Sequence, residues 1–141
     1  MADRKRVLFL CVHNSVRSIL AEHLVNHFRG DRFVASSAGL ESTGVNPHTR
    51  RVLEEIGIDT AAARSKRVDE FRGAEFDLVV TVCGPSEGEC PAWFGKAKQA
   101  HLPFEDPGRA PGSEAELLAR FRATRDEIRA TVLTFLDDLW K

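Results

Sequence analysis

The stretch Arg6-Val7-Leu8-Phe9-Leu10-Cys11-Val12-His13-Asn14-Ser15-Val16-Arg17-Ser18 changes its hydrophobic period halfway along, and the fold is read from that change. Residues 7–10 form a continuous apolar run, the pattern of a strand buried on both faces. From there the apolar positions fall at Val16, Leu20, Leu24 and Phe28, the stripe of an amphipathic helix. The loop between strand and helix presents successive backbone N–H groups and a helix N-terminus to one point. Such a place holds a tetrahedral oxyanion. Arg17 adds a forked, permanently charged donor for the same anion. Cys11 therefore stands against a bound oxyanion, where a cysteine serves as a nucleophile.

Working outward, the first strand is expected at 7–10 and the first helix at 16–29, with Gly30 as its stop. Residues 32–36 read as a second strand. Asn46 caps a second helix whose first position is Pro47. Val52, Leu53 and Ile56 face the core, and Gly57 ends that helix. Residues 68–71 form one helical turn. Residues 76–82 are a second clear buried strand, and 100–102 a weaker fourth. Ser113 and Glu116 make a capping box for the last helix. Its expected stripe is Leu117, Phe121, Thr124, Ile128, Val132, Phe135 and Leu139. Strands alternating with helices imply an α/β chain with a parallel, doubly wound sheet and helices on both faces.

The 141 residues are 43% hydrophobic and 29% charged, the mix of one globular domain. A formal net charge of -1 supplies no basic footprint for nucleic acid. No apolar run approaches the ~20 residues of a membrane span. The first residues, with Asp3 among them, make a poor signal peptide. A cytoplasmic monomer is expected, with its three cysteines reduced at rest. An odd cysteine count there speaks for chemistry rather than a disulfide framework.

A strand order of 2-1-3-4 brings the Cys11 loop and the residues after Val82 to the same crevice at the carboxyl ends of the strands. The residue after Val82 is Cys83. Neighbouring strands lie about 4.8 Å apart, and a disulfide needs Cα atoms about 4.4–6.8 Å apart. Cys11 and Cys83 can therefore approach bonding distance. Cys90 follows across Gly84-Pro85-Ser86-Glu87-Gly88-Glu89, a segment whose composition predicts loose packing. Cys83 also has the bland reading of a small buried hydrophobe. A zinc site of Cys83, Cys90 and His101 lacks paired ligand spacing, so no metal is expected. His23, His27 and His48 read as helix-surface residues, and Trp93, Phe94 and Trp140 as packing.

Cys11-x5-Arg17-Ser18 after the first strand, Ser37-Ala38-Gly39 after the second and Asp106-Pro107 before the last helix resemble the low-molecular-weight protein tyrosine phosphatase superfamily. Asp77-Leu78-Val79-Val80-Thr81-Val82-Cys83, followed by Cys90-Pro91, resembles its thioredoxin-coupled arsenate reductases more narrowly. Gly44-Val45-Asn46-Pro47 and Arg125-Asp126-Glu127-Ile128 match their pattern too. The resemblance spans nearly the whole chain and implies one domain over residues 1–141. It implies that Cys11 attacks arsenate, and that Arg17 and the amides of Val12, His13, Asn14, Ser15, Val16 and Arg17 hold the oxygens. It further implies that Ser18 hydrogen-bonds the thiolate, that Asn14 braces the loop and that Asp106 protonates the leaving oxygen. Cys83 would then release arsenite by forming a disulfide with Cys11. Cys90 would move that disulfide to Cys83–Cys90 for reduction by thioredoxin, with no bound cofactor.

Electron counting agrees with this scheme. Reducing As(V) to As(III) takes two electrons, which two thiols supply on becoming a disulfide. Phosphate ester hydrolysis takes none. Three positions depart from the resembled pattern: His13 and Val16 in the loop, and Lys66. Some members hold a potassium ion on residues matching Asn14, Glu22 and Ser37, with a carboxylate where Lys66 stands. Two readings of Lys66 stand: its ammonium takes the cation's place and braces Asn14 and Glu22, or it points into solvent with no bracing role. Two rivals remain. One is a tyrosine phosphatase, although this chain has no tyrosine to flank an aryl substrate. The other is a non-enzymatic oxyanion or redox sensor.

Overall fold

The computed structural model describes residues 4–84, 93 and 95–141. Cys90, Pro91 and Phe94 lie outside the described residues. The elements run β1 (Lys5–Cys11), α1 (Arg17–Phe28), β2 (Phe33–Gly39), α2 (Pro47–Glu54), a 3-10 turn (Val68–Phe71), β3 (Leu78–Thr81), β4 (Lys98–His101) and α3 (Glu114–Leu139). The strands form one parallel sheet in the order β2-β1-β3-β4. This is the expected α/β domain with the expected strand order.

Alternation along β1 divides the core. Val7, Phe9 and Cys11 join Val80 and Val82 under Leu20, Leu24, Val52, Leu53, Ile128 and Leu136 of the three α-helices. Leu8 and Leu10 point the other way, against Val79 and Phe76, where Val68, Phe71 and Trp93 complete the layer. Helical residues therefore cover both faces; among the described residues the second face is closed by one 3-10 turn and aromatic packing. Phe76 meets Phe71 and Trp93 edge-on at centroid distances of 5.7 and 5.5 Å.

Several boundaries move, each for a local reason. α1 starts at Arg17, because Val16 has φ -126° and ψ -80° and still belongs to the loop. β2 runs from Phe33 to Gly39, later than expected, carried by its pairing along the full length of β1. β3 is shorter than expected because Phe76 leaves the ladder to enter the aromatic layer. β4 begins two residues early: as a mostly exposed edge strand, Lys-Gln-Ala-His carries little hydrophobic signal. α2 stops at Glu54, and Gly57 closes its end at φ 85° with Ile58 N–H bonded back to the Leu53 carbonyl. The capping box of α3 is present. Its stripe is rotated, however, with Leu118, Arg125, Leu133 and Leu136 buried and Leu139 38% exposed. The reason is that α3 packs against both α1 and α2. His48 also corrects the surface reading. It is half-buried, tilted over Phe121 at 5.1 Å, with Nε2 2.7 Å from Glu114 Oε1.

Candidate active site

The loop after β1 is shaped from outside. The Val12 carbonyl accepts Glu41 N–H, and the His13 carbonyl accepts Thr43 N–H. The Asn14 carbonyl accepts Ser65 Oγ–H at 2.7 Å. The Ser15 carbonyl accepts Asn46 N–H and Thr49 Oγ–H. Within a trans peptide the C=O and the next N–H point in opposite directions. Turning these carbonyls outward turns the following amides inward, toward Cys11. Gly39 permits this: a methyl group there would stand 2.8 Å from Asn14 N and from Val12 O.

Asn14 is the pivot. Among the described residues it is the one non-glycine with positive φ, 49°, a conformation that asparagine tolerates better than most. Its N–H is 3.3 Å from Cys11 Sγ, its Nδ2 donates to Ser18 Oγ at 2.8 Å, and its Oδ1 accepts Lys66 N–H at 2.6 Å. Ser18 Oγ lies 2.8 Å from Cys11 Sγ. Because Ser18 Oγ already accepts the Asn14 amide, its own proton is available to a Cys11 thiolate. Arg17 is buried, and its Nη1 donates to the Phe104 carbonyl at 3.0 Å, 87 residues along the chain.

These groups enclose a cavity of about 150 Å³ lined by Cys11, His13, Ser15, Val16, Arg17, Thr43, Asn46, Asp106 and Gly108. Asp106 Oδ1 accepts Gly108 N–H at 2.9 Å. Val12, Asn14 and Ser18 do not line the cavity; Asn14 and Ser18 lie behind Cys11 as its buried support. Thr43, Asn46 and Gly108 are additions that the sequence reading did not assign to the site. Among the described residues no Phe, Tyr or Trp lines this cavity. A larger cavity, about 790 Å³, lies beside Phe76 and Trp93, but neither Cys11, Arg17 nor Asp106 lines it. Chemistry and size point to different cavities, and the reactive groups decide for the smaller one.

Beneath the loop, Lys66 Nζ lies 3.6 Å from Glu22 Oε1 and donates to the Arg64 carbonyl at 2.6 Å. Ser37 Oγ donates to the same Glu22 oxygen. A second cation beside Glu22 would face the Lys66 ammonium at close range, so these residues do not fit a potassium ion. Among the described residues no group of three His, Cys, Asp or Glu side chains suits a metal, and His101 Nδ1 is 2.7 Å from Thr81 Oγ1. No helix among them is long and apolar enough to cross a membrane.

β1 and β3 pair with Leu10 opposite Thr81, which sets Val82 opposite Cys11 and Cys83 one residue beyond. Both cysteines are buried in one core cluster. Cys11 is a free thiol and Cys83 is disulfide-bonded. A family model described as low molecular weight phosphotyrosine protein phosphatase matches residues 6–141. The chain belongs to that family. Within the family it is 39% identical to an arsenate reductase of Halalkalibacterium halodurans over 135 residues, 96% of this chain and 97% of the relative. A solved arsenate reductase in its phosphate-binding state superposes with a TM-score of 0.79 at 28% identity, covering 95% of this chain and 98% of the other. A thioredoxin-dependent arsenate reductase of Corynebacterium glutamicum superposes with a TM-score of 0.61 at 26% identity, covering 94% of this chain and 64% of the other.

Proposed function

We propose that this family member reduces arsenate to arsenite through a covalent Cys11 adduct, a Cys11–Cys83–Cys90 relay and thioredoxin as external reductant. The observation that carries the reading is the pairing of β1 with β3. It brings the cysteine of an oxyanion-sized cavity close in register to a second cysteine just beyond the end of the neighbouring strand. The Cys11 thiolate attacks arsenic, and an oxygen leaves as water with a proton from Asp106. Inward amides and Arg17 hold the remaining oxygens. α1 has no side-chain cap, unlike α2 and α3, which suits its N-terminus to an anion. Cys83 then attacks the Cys11 sulfur. The electrons of the sulfur–arsenic bond stay on arsenic, which leaves as As(III). Cys90 attacks Cys83 and frees the Cys11 thiolate. A free Cys11 and a disulfide-bonded Cys83 are what the end of such a relay requires.

The electrons come from thiols, so the scheme needs no bound cofactor. The protein works as a cytoplasmic monomer, with neither nucleic acid nor membrane as a partner. Lys66 supplies the positive charge beneath the loop. The same anion loop supports a weak hydrolysis of aryl phosphates, though no Phe, Tyr or Trp among the described residues lines the cavity to flank the ring. The test is arsenate-dependent NADPH consumption with thioredoxin and thioredoxin reductase, run beside hydrolysis of a small aryl phosphate. Cys83→Ser and Cys90→Ser should each abolish multiple-turnover reduction and spare hydrolysis. Thioredoxin-driven turnover retained in either variant would sink the relay.

A further inference from the structure

Gly84, expected to begin a loosely packed loop, is buried. A methyl group on it would stand 2.7 Å from the Phe104 carbonyl oxygen and 3.4 Å from Glu105 Cα. Real contacts of a Cβ do not come so close to a backbone oxygen, which cannot swing away as a side chain can. The backbone of Gly84 is outside the positive-φ region, where Gly44, Gly57 and Gly73 lie. The position thus needs glycine for space and not for its dihedral freedom. The atom it accommodates is the one that accepts the Arg17 guanidinium at 3.0 Å. Two residues after Phe104 comes Asp106, on the wall of the Cys11 cavity.

We propose that Gly84 is a positioning residue for Arg17: by letting the chain leaving β3 lie directly against the Phe104 carbonyl, it sets the guanidinium's aim at the oxyanion. This deepens the reading of the Cys11 cavity as an oxyanion site and rests on it. The chemistry is that of a buried charge-assisted hydrogen bond. One Nη–H is spent on the carbonyl, which fixes the plane of the fork relative to the anion. Displacing the carbonyl by a few tenths of an ångström tilts that plane. The segment that carries Cys83 is thereby in mechanical contact with the group that binds substrate.

The experiment measures inorganic phosphate binding by calorimetry to the full chain and to Gly84→Ala, Arg17→Lys and the double variant, with melting temperatures alongside. Phosphate needs no reductant, so the result is independent of whether arsenate is reduced. Gly84→Ala should weaken phosphate binding about tenfold, the loss of roughly one well-aimed charged hydrogen bond. In the Arg17→Lys background the same substitution should cost little more, because residues acting through one contact are not additive. A full additional loss in that background, or no loss from Gly84→Ala alone, would overturn the proposal. If Gly84→Ala does not fold, the unmodified protein still decides. Titration with phosphate should shift the backbone amide resonances of Gly84 and Glu105 with the same dissociation constant as the Arg17 side chain, and a still Gly84 overturns the coupling. Absence of phosphate and arsenate binding in the unmodified protein would overturn both readings. Phosphate coupling without arsenate reduction would remove only the reductase.

Discussion

At the carboxyl end of β1, Cys11 is held by Ser18 Oγ and Asn14 N–H, and Asn14 in turn by Lys66 N–H. At the amino end the chain is held by charge. Asp137 accepts Arg29 at 2.9 Å and Arg32 at 3.0 Å, Arg32 reaches the Trp140 carbonyl, and Lys5 lies over the Trp140 ring at 5.7 Å. The first end is buried and held by hydrogen bonds; the second is about one third exposed. Exposed ion pairs are worth ~0–1 kcal/mol because water and salt screen them. A buried polar group stripped of its partner costs ~1–3 kcal/mol. One strand therefore ends in a contact set that tolerates no loss and begins in one that tolerates much.

The sharpest way to break that contrast is Cys11→Ser. Both arsenate reduction and aryl phosphate hydrolysis should vanish, since a hydroxyl is a far weaker nucleophile at neutral pH. Next is Asp106→Asn, which should slow single-turnover adduct formation by about 10²–10⁴-fold, the usual worth of a general acid. Sulfate binding should hardly change, and an unchanged single-turnover rate would leave Asp106 no role beyond the turn before Pro107.

Asn14→Ala tests the buried end directly. It removes two side-chain hydrogen bonds and the residue type suited to φ 49°. Unfolding should become easier by ~1–3 kcal/mol, read by denaturant titration. Lys66 tests the same region by ion identity. Melting temperature and arsenate KM should be equal in sodium and potassium at matched ionic strength. Lys66→Asp should introduce a potassium dependence, because it trades the ammonium for an oxygen ligand beside Glu22. A potassium-specific rise in the unmodified protein would refute the role of Lys66.

The smallest effect belongs to the charged end. The hydrogen bond from Arg29 holds the Asp137 carboxyl below the usual carboxylate range, against the opposing cost of burial. A depressed carboxylate stabilises the fold fully above its unfolded pKa, about 3.9, and that contribution is lost as pH falls through the folded value. Asp137→Asn should therefore lower the melting temperature slightly at neutral pH and leave it unchanged in strong acid. A loss at neutral pH as large as that of Asn14→Ala would erase the contrast between the two ends.

The sequence by itself determined the strand, the loop and the helix around Cys11. A run of apolar residues followed by a four-residue period is a local signal, and Arg17 is placed by spacing alone. It also determined the cap of α2 and the capping box of α3, because each is written within a few residues. The edge strand β4 was nearly silent, since a mostly exposed polar strand is specified by its neighbour's ladder and not by its own side chains. The rotated stripe of α3 was silent too: which face is buried depends on two helices arriving together. The inward aim of the loop amides was decided only in three dimensions, by Ser65, Thr49 and the backbone of Glu41 and Thr43. So was the anchoring of Arg17 on the Phe104 carbonyl beside Gly84. A carbonyl is present at every residue and leaves no mark in a sequence, so only the tertiary structure could say which one the arginine would find.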